Sequence, residues 1–292
     1  MSIVITGATG QLGRLVIADL LAAGVPADGI TAVARSQEKA ADLVEQGIRS
    51  HLADYDRPET FAGAFRPEDR VLLISGTDLG RRTAQHATVI DAAKAAGVAQ
   101  LAYVGVFGGP KATFALADEH RETEHLILDS GLPYTFLRNN WYSDAWMFTD
   151  ELPRIIERGA ITNNVAPGSR IATAPRIDYA EAAAVVLRTD GHLDNAYELG
   201  GDTAWTFEEF ADEVTRQSGT KVVHNSLTAA ENKALLTGAG LPAALADILV
   251  DVDDAISKGA LADTPGDLSR LIGRPTTPIA DTIAAALEAT RA

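Results

Sequence analysis

The amino-acid sequence predicts an α/β protein: a doubly wound parallel sheet with a smaller, mixed α+β lobe towards the C-terminus. In the N-terminal half, short β-branched runs alternate with longer segments rich in alanine and leucine, and parallel strands need such helical crossovers. The strand VLLIS at 71–75 is apolar throughout, which indicates a sheet covered on both faces. Helical segments end in AAGV and DSGLP, where glycine follows the last turn.

The elements of the N-terminal half follow one another in regular order. We expect strands at Ile3–Thr6, Ile30–Ala34, Ile48–Leu52, Val71–Ser75, Leu101–Val104 and Tyr134–Leu137. The helices between them are expected at Gln11–Ala23, Gln37–Gln46, Pro58–Phe65, Arg81–Ala96 and Leu116–Ser130.

After about residue 138 this alternation loosens. Helices are expected at Tyr179–Leu187, Phe207–Gln217, Ala229–Leu236 and Ile279–Glu288, and short strands at Ala196–Leu199 and Lys221–Asn225. The sequence therefore predicts a cofactor domain over residues 1–138 and a smaller substrate lobe over residues 139–292, interleaved with the first near residues 139–200.

The charge and composition exclude several classes of function. Acidic residues outnumber basic ones by 40 to 25, so nucleic acids and anionic membrane surfaces are not expected as partners. The sequence has no cysteine, which excludes disulfides, thiolate metal ligands and cysteine nucleophiles. No apolar run approaches the roughly 18 residues of a membrane span, and no secretory signal precedes SIVIT, so we expect a cytoplasmic protein.

A glycine-rich turn, TGATGQLG at 6–13, directly follows the first predicted strand. Gly7 permits a tight exit from the strand, Gly10 lets the backbone approach a pyrophosphate, and Gly13 lets helix and strand pack closely. The N-terminus of the next helix adds unpaired N–H groups and a positive partial charge. This context predicts a Rossmann-like dinucleotide site lined by Gly7, Thr9, Gly10, Gln11, Leu12 and Gly13.

The residue after the second strand selects between dinucleotides. NAD-selective folds usually place an acid there, whereas this chain has Arg35, either a ligand of a 2′-phosphate or a solvent-facing side chain. We favour the first and expect NADPH over NADH. Because ligands bind at the carboxyl ends of strands, Asp54-Tyr55 should lie beside the adenine and Ser75-Gly76-Thr77 nearer the ribose and nicotinamide. For His86 we favour a surface location over a cofactor contact.

Several longer motifs support a family resemblance. TGATGQLG, ADY, LLIS, AAKAAGV, ADEHRETE, SGLPYTFLRNNWYS and LIGRPTT occur in this order. Over nearly its whole length the chain resembles the atypical short-chain dehydrogenases of the NmrA-like group, and within it the bacterial NADPH-dependent quinone oxidoreductases of type 2. The most specific motifs are the run at 137–143 and LSRLIGRPTT.

The resemblance also shows what is missing. Ordinary short-chain dehydrogenases carry a Tyr-x-x-x-Lys pair that delivers a proton to a ketone oxygen. Counting back from Ser130-Gly131, the matching positions hold Leu116 and His120. Leucine cannot transfer a proton, so we expect neither a standard ketone reductase nor a sugar-nucleotide epimerase.

His120 has two open interpretations. It shares a helix face with Glu124, Leu116 and Leu128, and we expect that face to point inward. His120 then either contacts the cofactor ribose or acts as a proton source, or it forms a buried structural pair with Glu124. Glu119, on another face, is expected to be solvated. The spacing of five to His125 does not suit a metal ion, and we expect no metal.

The resemblance implies a substrate site built from the loops after strands five and six. We name Phe107 from the first loop, and Asn139, Asn140, Trp141 and Tyr142 from the second. Flat aromatic side chains suit a flat quinone, and the asparagine amides suit its carbonyls or the nicotinamide carboxamide. Packing between the two lobes is an equally good explanation of Trp141 and Tyr142.

Two functions remain in competition. Hydride addition to a quinone gives an aromatic hydroquinone anion with delocalised charge, which needs less proton assistance than an alkoxide. We therefore predict an NADPH-dependent quinone oxidoreductase whose partner is a small-molecule quinone. The alternative is a non-catalytic redox sensor of the NmrA type that binds NAD(P) and regulates a protein partner. The oligomeric state is left open, a homodimer included.

Overall fold

A seven-stranded sheet in the first compact unit of the chain confirms the predicted doubly wound fold. The computed structural model describes residues 2–146 and 151–291. The strands of the sheet are β1 (Ser2–Thr6), β2 (Ile30–Ala34), β3 (Arg49–Leu52), β4 (Asp69–Ile74), β5 (Gln100–Val106), β6 (Tyr134–Asn139) and β9 (Asn195–Leu199). Their order is β3-β2-β1-β4-β5-β6-β9, and β1 to β6 pair in parallel. Two smaller sheets pair β7 (Ala160–Asn163) with β11 (Val223–Ser226) and β8 (Arg170–Ile171) with β10 (Trp205–Thr206).

The α-helices follow the predicted pattern closely in the first half and less closely in the second. They are α1 (Gln11–Ala22), α2 (Gln37–Glu45), α3 (Arg82–Ala96), α4 (Leu116–Ser130), α5 (Glu151–Arg158), α6 (Arg176–Arg188), α7 (Phe207–Ser218), α8 (Ala229–Gly238), α9 (Ala243–Ser257), α10 (Asp267–Ile272) and α11 (Ile279–Arg291). Within the described residues, none of these helices has the length and apolar character needed to cross a bilayer.

One predicted helix is wrong and one long helix was missed. Instead of an α-helix at Pro58–Phe65, the chain forms a short 3₁₀ helix, Pro58–Phe61, because Gly63 at φ +75° ends the regular backbone. The missed helix is α9, whose buried face contains two alanines and therefore gives a weak apolar stripe.

The chain forms two compact units. The first comprises Met1–Gly109, Glu119–Asn139 and Ile177–Glu198. The second comprises Pro110–Asp118, Asn140–Arg176 and Leu199–Ala292. In the first unit, a core beneath the sheet includes Val71, Leu73 and Leu101 from the strands and Val89 and Ile90 from α3, all buried.

The direction of chain progression reverses beside β1. From β1 the chain runs outward through β2 and β3, and then returns to β4 on the other side of β1. In open α/β sheets such a reversal leaves a crevice at the carboxyl ends of the strands, where ligands bind. The ends of β1 and β4 are in close contact there, since a Cβ on Gly7 would lie 3.3 Å from Cβ of Ile74.

A buried polar cluster joins α8, α9 and Asn164 in the second unit. Asp253 of α9 accepts hydrogen bonds from the backbone N–H of Asn164 and from Nδ2 of Asn232, both at 3.1 Å. Nδ2 of Asn232 also donates to Oδ1 of Asn164 at 2.7 Å. Burial raises the pKa of Asp253 to about 6 against the hydrogen bond from Asn164, and the charge of Asp254 adds to the rise.

We predict that Asp253→Asn raises Tm at pH 7. The folded-state pKa lies above the unfolded value, so the cost of the buried charge is absent at low pH and complete above about pH 6. An asparagine oxygen accepts the same two hydrogen bonds without a charge. Thermal unfolding should therefore show a gain at pH 7 that shrinks towards about pH 4.

The matched control is Asp247→Asn on the same helix, where the carboxylate is 56% exposed and pairs with Lys233. That change is expected to alter stability by less than about 1 kcal/mol at either pH. An unchanged or lower Tm for Asp253→Asn at pH 7 contradicts the destabilising role of the buried carboxylate.

Candidate active site

The glycine-rich turn at the end of β1 has the shape of a pyrophosphate cradle. Gly7 is left-handed at φ +66°, and its carbonyl accepts the N–H of Gly10 at 3.0 Å. A Cβ on Gly13 would lie 2.5 Å from the Gly7 carbonyl oxygen, so α1 packs too close for any side chain there. Gly10 caps α1 without a side-chain hydrogen bond, and the first turn of α1 carries no acid. The free N–H groups of this helix end fit an anionic diphosphate.

Arg14 was not singled out from the sequence, although it links the cradle to the next crossover. Its Nε donates to the Thr9 carbonyl at 3.1 Å, and Nη2 donates to the Lys39 carbonyl at 3.0 Å. Its guanidinium also pairs with Asp42 of α2. Since α2 begins just after Arg35, these contacts fix the position of the Arg35 segment relative to the cradle.

The residues predicted for the adenine end lie at the carboxyl ends of β2 and β3. Arg35 follows β2 directly, is exposed, and forms no ion pair or hydrogen bond with the part of the chain that the structure describes. The Tyr55 ring stacks on Phe61 with centroids 5.9 Å apart, and burial raises the pKa of Tyr55. Asp54 forms a turn with Arg57 and accepts the N–H of Asp56 at 3.1 Å. The open guanidinium of Arg35 is available to a ligand phosphate.

The loop after β4 holds the predicted contacts Ser75 and Gly76 in partly exposed positions and Thr77 in an exposed one. His86 of α3 lies beneath this loop and is fully buried, so the predicted surface location is wrong. Its ring accepts the N–H of Gly76 at 3.0 Å, a long-range contact that the local sequence pattern does not encode.

His120 faces the core, but its partner differs from the one predicted. Its Nδ1 lies 2.7 Å from the Tyr103 hydroxyl of β5, and no His120–Glu124 pair forms. Burial, together with the smaller effect of the nearby Arg82 charge, lowers the pKa of His120 to about 3. The ring is therefore uncharged at pH 7, which does not favour the interpretation of His120 as a near-neutral proton source. Its Nε2 makes no hydrogen bond with a described residue.

Glu124 instead belongs to an ionic network around Arg138 of β6. Arg138 donates to both carboxylate oxygens of Glu124 and to Glu198, each at 2.8 Å. Glu198 also accepts the N–H of Gly108 at 2.8 Å, which anchors the loop after β5. Burial opposes the charge of Arg138, but both glutamates outweigh it and raise the pKa of the guanidinium. Sequence reasoning missed Arg138 because its partners lie on distant segments.

Two further side chains of α4 differ from their predicted environment. Leu128 is exposed, because the buried face of the helix runs through Ala117, His120, Thr123, Glu124 and Ile127. Glu119 is mostly buried rather than solvated and pairs with Arg82 at 3.2 Å.

The predicted substrate residues divide between the two units. In the first unit, Phe107 is buried after β5, and its N–H donates to the Asn139 carbonyl at 2.9 Å. In the second unit, Nδ2 of Asn140 donates to the Leu261 carbonyl at 3.1 Å, and its Oδ1 accepts the N–H of Trp141 at 2.7 Å. Asn140 therefore supports the loop from inside, and Trp141 is partly exposed.

Tyr142 forms a fixed aromatic platform in the second unit. The guanidinium of Arg176 lies 4.8 Å from the centre of its ring, and Arg176 also pairs with Asp144 at 2.9 Å. The backbone of Tyr142 bridges to Ala174. The cation over the ring face holds the ring in place.

The described residues contain no group of histidine, aspartate and glutamate side chains that could hold a metal ion. The cradle and the strand ends can hold a dinucleotide. Burial keeps His120 uncharged and the Tyr103 hydroxyl protonated at neutral pH.

Comparison with known proteins agrees with this geometry. A family model described as NAD(P)H-binding matches residues 7–189. Quinone oxidoreductase 2 of Escherichia coli (strain K12) is 45% identical over 281 residues, which cover 96% of this chain and 97% of the relative. The crystal structure of NADPH-dependent quinone oxidoreductase from Escherichia coli, complexed with NADPH, has a TM-score of 0.93 at 44% identity and covers 98% of this chain and 99% of its own.

A second group of solved structures is nearly as similar. The Citrobacter sp. triphenylmethane reductase complexed with NADP(H) has a TM-score of 0.92 at 41% identity, with 98% of this chain and 100% of that chain covered. The resemblance inferred from the sequence motifs is thereby confirmed. With a family match over residues 7–189 and relatives aligned along almost its full length, the chain belongs to the NAD(P)H-binding family.

Proposed function

We propose that this protein is an NADPH-dependent quinone oxidoreductase. The observation that carries the proposal is an open dinucleotide cradle with Arg35 exposed at the end of β2, in a chain that has no Tyr-x-x-x-Lys pair and whose His120 is uncharged at neutral pH. NADPH, when bound, supplies the hydride. The glycine turn would hold its diphosphate, Arg35 its 2′-phosphate, Tyr55 its adenine, and the loop after β4 its nicotinamide half. The similarity to an NADPH-bound quinone oxidoreductase supports this assignment.

The missing acid suits the chemistry of a quinone. The developing charge spreads over an aromatic ring, so the hydroquinone anion can take its proton from water after hydride transfer. His120, with a pKa of about 3, and Tyr103, whose pKa burial raises, both stay neutral. Their role would be to bind and orient, and Nε2 of His120 would hydrogen-bond a ribose hydroxyl of the cofactor. Positioning then supplies the larger part of the rate enhancement.

Aromatic and amide groups from the loops after β5 and β6 would receive the acceptor. We assign Trp141 and Tyr142 to stacking on a flat ring and Asn139 to its carbonyl oxygen. Phe107 and Asn140 shape the loops from inside, as their burial and internal hydrogen bonds support. A cytoplasmic location and a homodimer remain predictions of the sequence.

A cationic acceptor is a second candidate substrate class. A triarylmethyl cation needs a hydride and no proton, which matches a site without an acid. The similar Citrobacter protein is a triphenylmethane reductase. A non-catalytic redox sensor, by contrast, would bind NADPH without turning over either acceptor.

The function is tested by following NADPH oxidation at 340 nm with a panel of benzoquinones, naphthoquinones and a cationic triarylmethane dye, and by repeating the series with NADH. We expect turnover of quinones with NADPH as the better reductant. Tight binding of NADPH without oxidation by any acceptor would establish the sensor function instead.

Arg35→Ala should weaken the binding of NADPH and leave the binding of NADH almost unchanged. Loss of a charge-assisted phosphate contact costs about 1.5–3 kcal/mol, so KM for NADPH should rise about tenfold to a hundredfold. KM for NADH should stay within about twofold, because NADH has no 2′-phosphate. The matched control is Arg66→Ala. Arg66 is exposed and precedes β4, so it lies at the amino ends of the strands and not at the carboxyl ends where the cofactor is expected. If Arg35→Ala keeps the preference of the wild-type protein for NADPH over NADH, Arg35 is not the ligand of the 2′-phosphate.

We predict that kcat for quinone reduction does not change with pH between about pH 5 and pH 8. His120 and His86 both have pKa values near 3, so neither changes charge in this range. His120→Ala should weaken NADPH binding and leave the flat profile unchanged. If kcat of the wild-type protein rises or falls near neutral pH and this change is lost in His120→Ala, then His120 transfers a proton.

A further inference from the structure

The two peptide groups that flank Gly76, after β4, are each held by a side chain of the same helix. His86 accepts the N–H of Gly76 at 3.0 Å, and Nε of Arg82 donates to the Gly76 carbonyl at 2.7 Å. Arg82 and His86 are four residues apart on α3 and therefore share a helix face. We call these two contacts the Gly76 clamp.

The Gly76 clamp is completed by partners on α4. Because Nε2 of His86 accepts a hydrogen bond, its proton must be on Nδ1, which then donates to Oγ1 of Thr123 at 2.9 Å. Arg82 pairs with Glu119 at 3.2 Å, and Thr123 donates to the Glu119 carbonyl at 2.8 Å. Every hydrogen-bonding atom of the buried His86 ring is thus satisfied, and the ring has one fixed orientation.

The clamp lies next to the cofactor cradle. Ile74, two residues before Gly76, touches Gly7 at the point where the strand order reverses between β1 and β4. His86 and Arg82 are buried in the core, and burying polar side chains is unfavourable unless each one is paired. Two such side chains on the two peptide groups of one glycine indicate that the orientation of these groups matters beyond folding.

We propose that His86 is a positioning residue for the nicotinamide half of bound NADPH, acting through the Ser75–Gly76 peptide group, whose N–H it accepts. This proposal rests on the proposed function, because that assigns the loop after β4 to the cofactor. The clamp fixes the directions of the groups on either side of Gly76, the Ser75 carbonyl and the Thr77 N–H, before the cofactor arrives. Binding then requires no ordering of the loop, and less affinity is lost to conformational entropy.

The chemistry of the clamp allows a rescue experiment. His86→Leu removes the acceptor for the Gly76 N–H. His86→Gln can restore it, since the glutamine oxygen accepts one hydrogen bond and its amide donates the other. Thr123→Val leaves His86 in place but removes the group that orients the ring.

The test is a titration of NADPH by its fluorescence, without acceptor, together with hydrogen exchange of the Gly76 amide. We expect Kd to rise about tenfold in His86→Leu and about threefold in Thr123→Val, and to stay within about threefold in His86→Gln. The Gly76 amide should exchange its hydrogen faster in His86→Leu and in Thr123→Val than in the wild-type protein. At saturating NADPH, KM for the quinone should be unchanged in all three.

The control variant is His192→Leu. The two ring nitrogens of His192 contact Thr189 and Tyr197, and the residue lies beside the start of β6, at the amino ends of the strands and away from the cofactor cradle. It should lower Tm and leave Kd unchanged. A folded His86→Leu that binds NADPH as tightly as the wild type overturns the proposal, and Thr123→Val decides if His86→Leu does not fold. Wild-type protein that binds NADPH without reducing quinones refutes only the proposed function, whereas absence of NADPH binding refutes both.

Discussion

The close approach of α1 to the end of β1 is the contact on which the rest of the site depends. A Cβ on Gly13 would lie 2.5 Å from the Gly7 carbonyl oxygen and 2.7 Å from Cα of Ala8, so glycine alone permits this distance. The uncapped N–H groups of α1 therefore sit directly at the edge of the sheet. Arg14, on the same turn, extends this order to α2 through Asp42 and Lys39, and thus to the segment that carries Arg35.

Two buried polar networks hold loops of this chain, which lacks the familiar tyrosine–lysine pair. One joins His86 and Arg82 to Gly76, and the other joins Glu124, Arg138 and Glu198 to Gly108. Both end on backbone groups of loops at the carboxyl edge of the sheet. Their side chains hold these loops in place without offering a proton at neutral pH, which fits hydride transfer to an acceptor that stabilises its own negative charge.

The parts of the structure that depend on local sequence could be predicted, and those that depend on distant partners could not. The strand–glycine–helix unit and Arg35 lie within one crossover, so spacing alone located them. His86 has both apolar and polar neighbours in the sequence, so the local pattern does not show whether it is buried. Its buried position is fixed by hydrogen bonds with Gly76 and Thr123. The spacing of four residues predicted a pair between Glu124 and His120, but in the structure Glu124 pairs with Arg138 of β6. The helix expected at Pro58–Phe65 failed because the turn at Gly63 outweighed a weak apolar pattern.

In this protein we expect hydride transfer to proceed without a proton from any of its side chains. Single-turnover oxidation of NADPH by a quinone, followed by stopped flow in H₂O and in D₂O and with NADPH deuterated at the transferred position, tests it directly. We predict a primary isotope effect from the deuterated cofactor and no solvent isotope effect on the same step. A solvent isotope effect on hydride transfer that His120→Ala or Tyr103→Phe abolishes would contradict the claim.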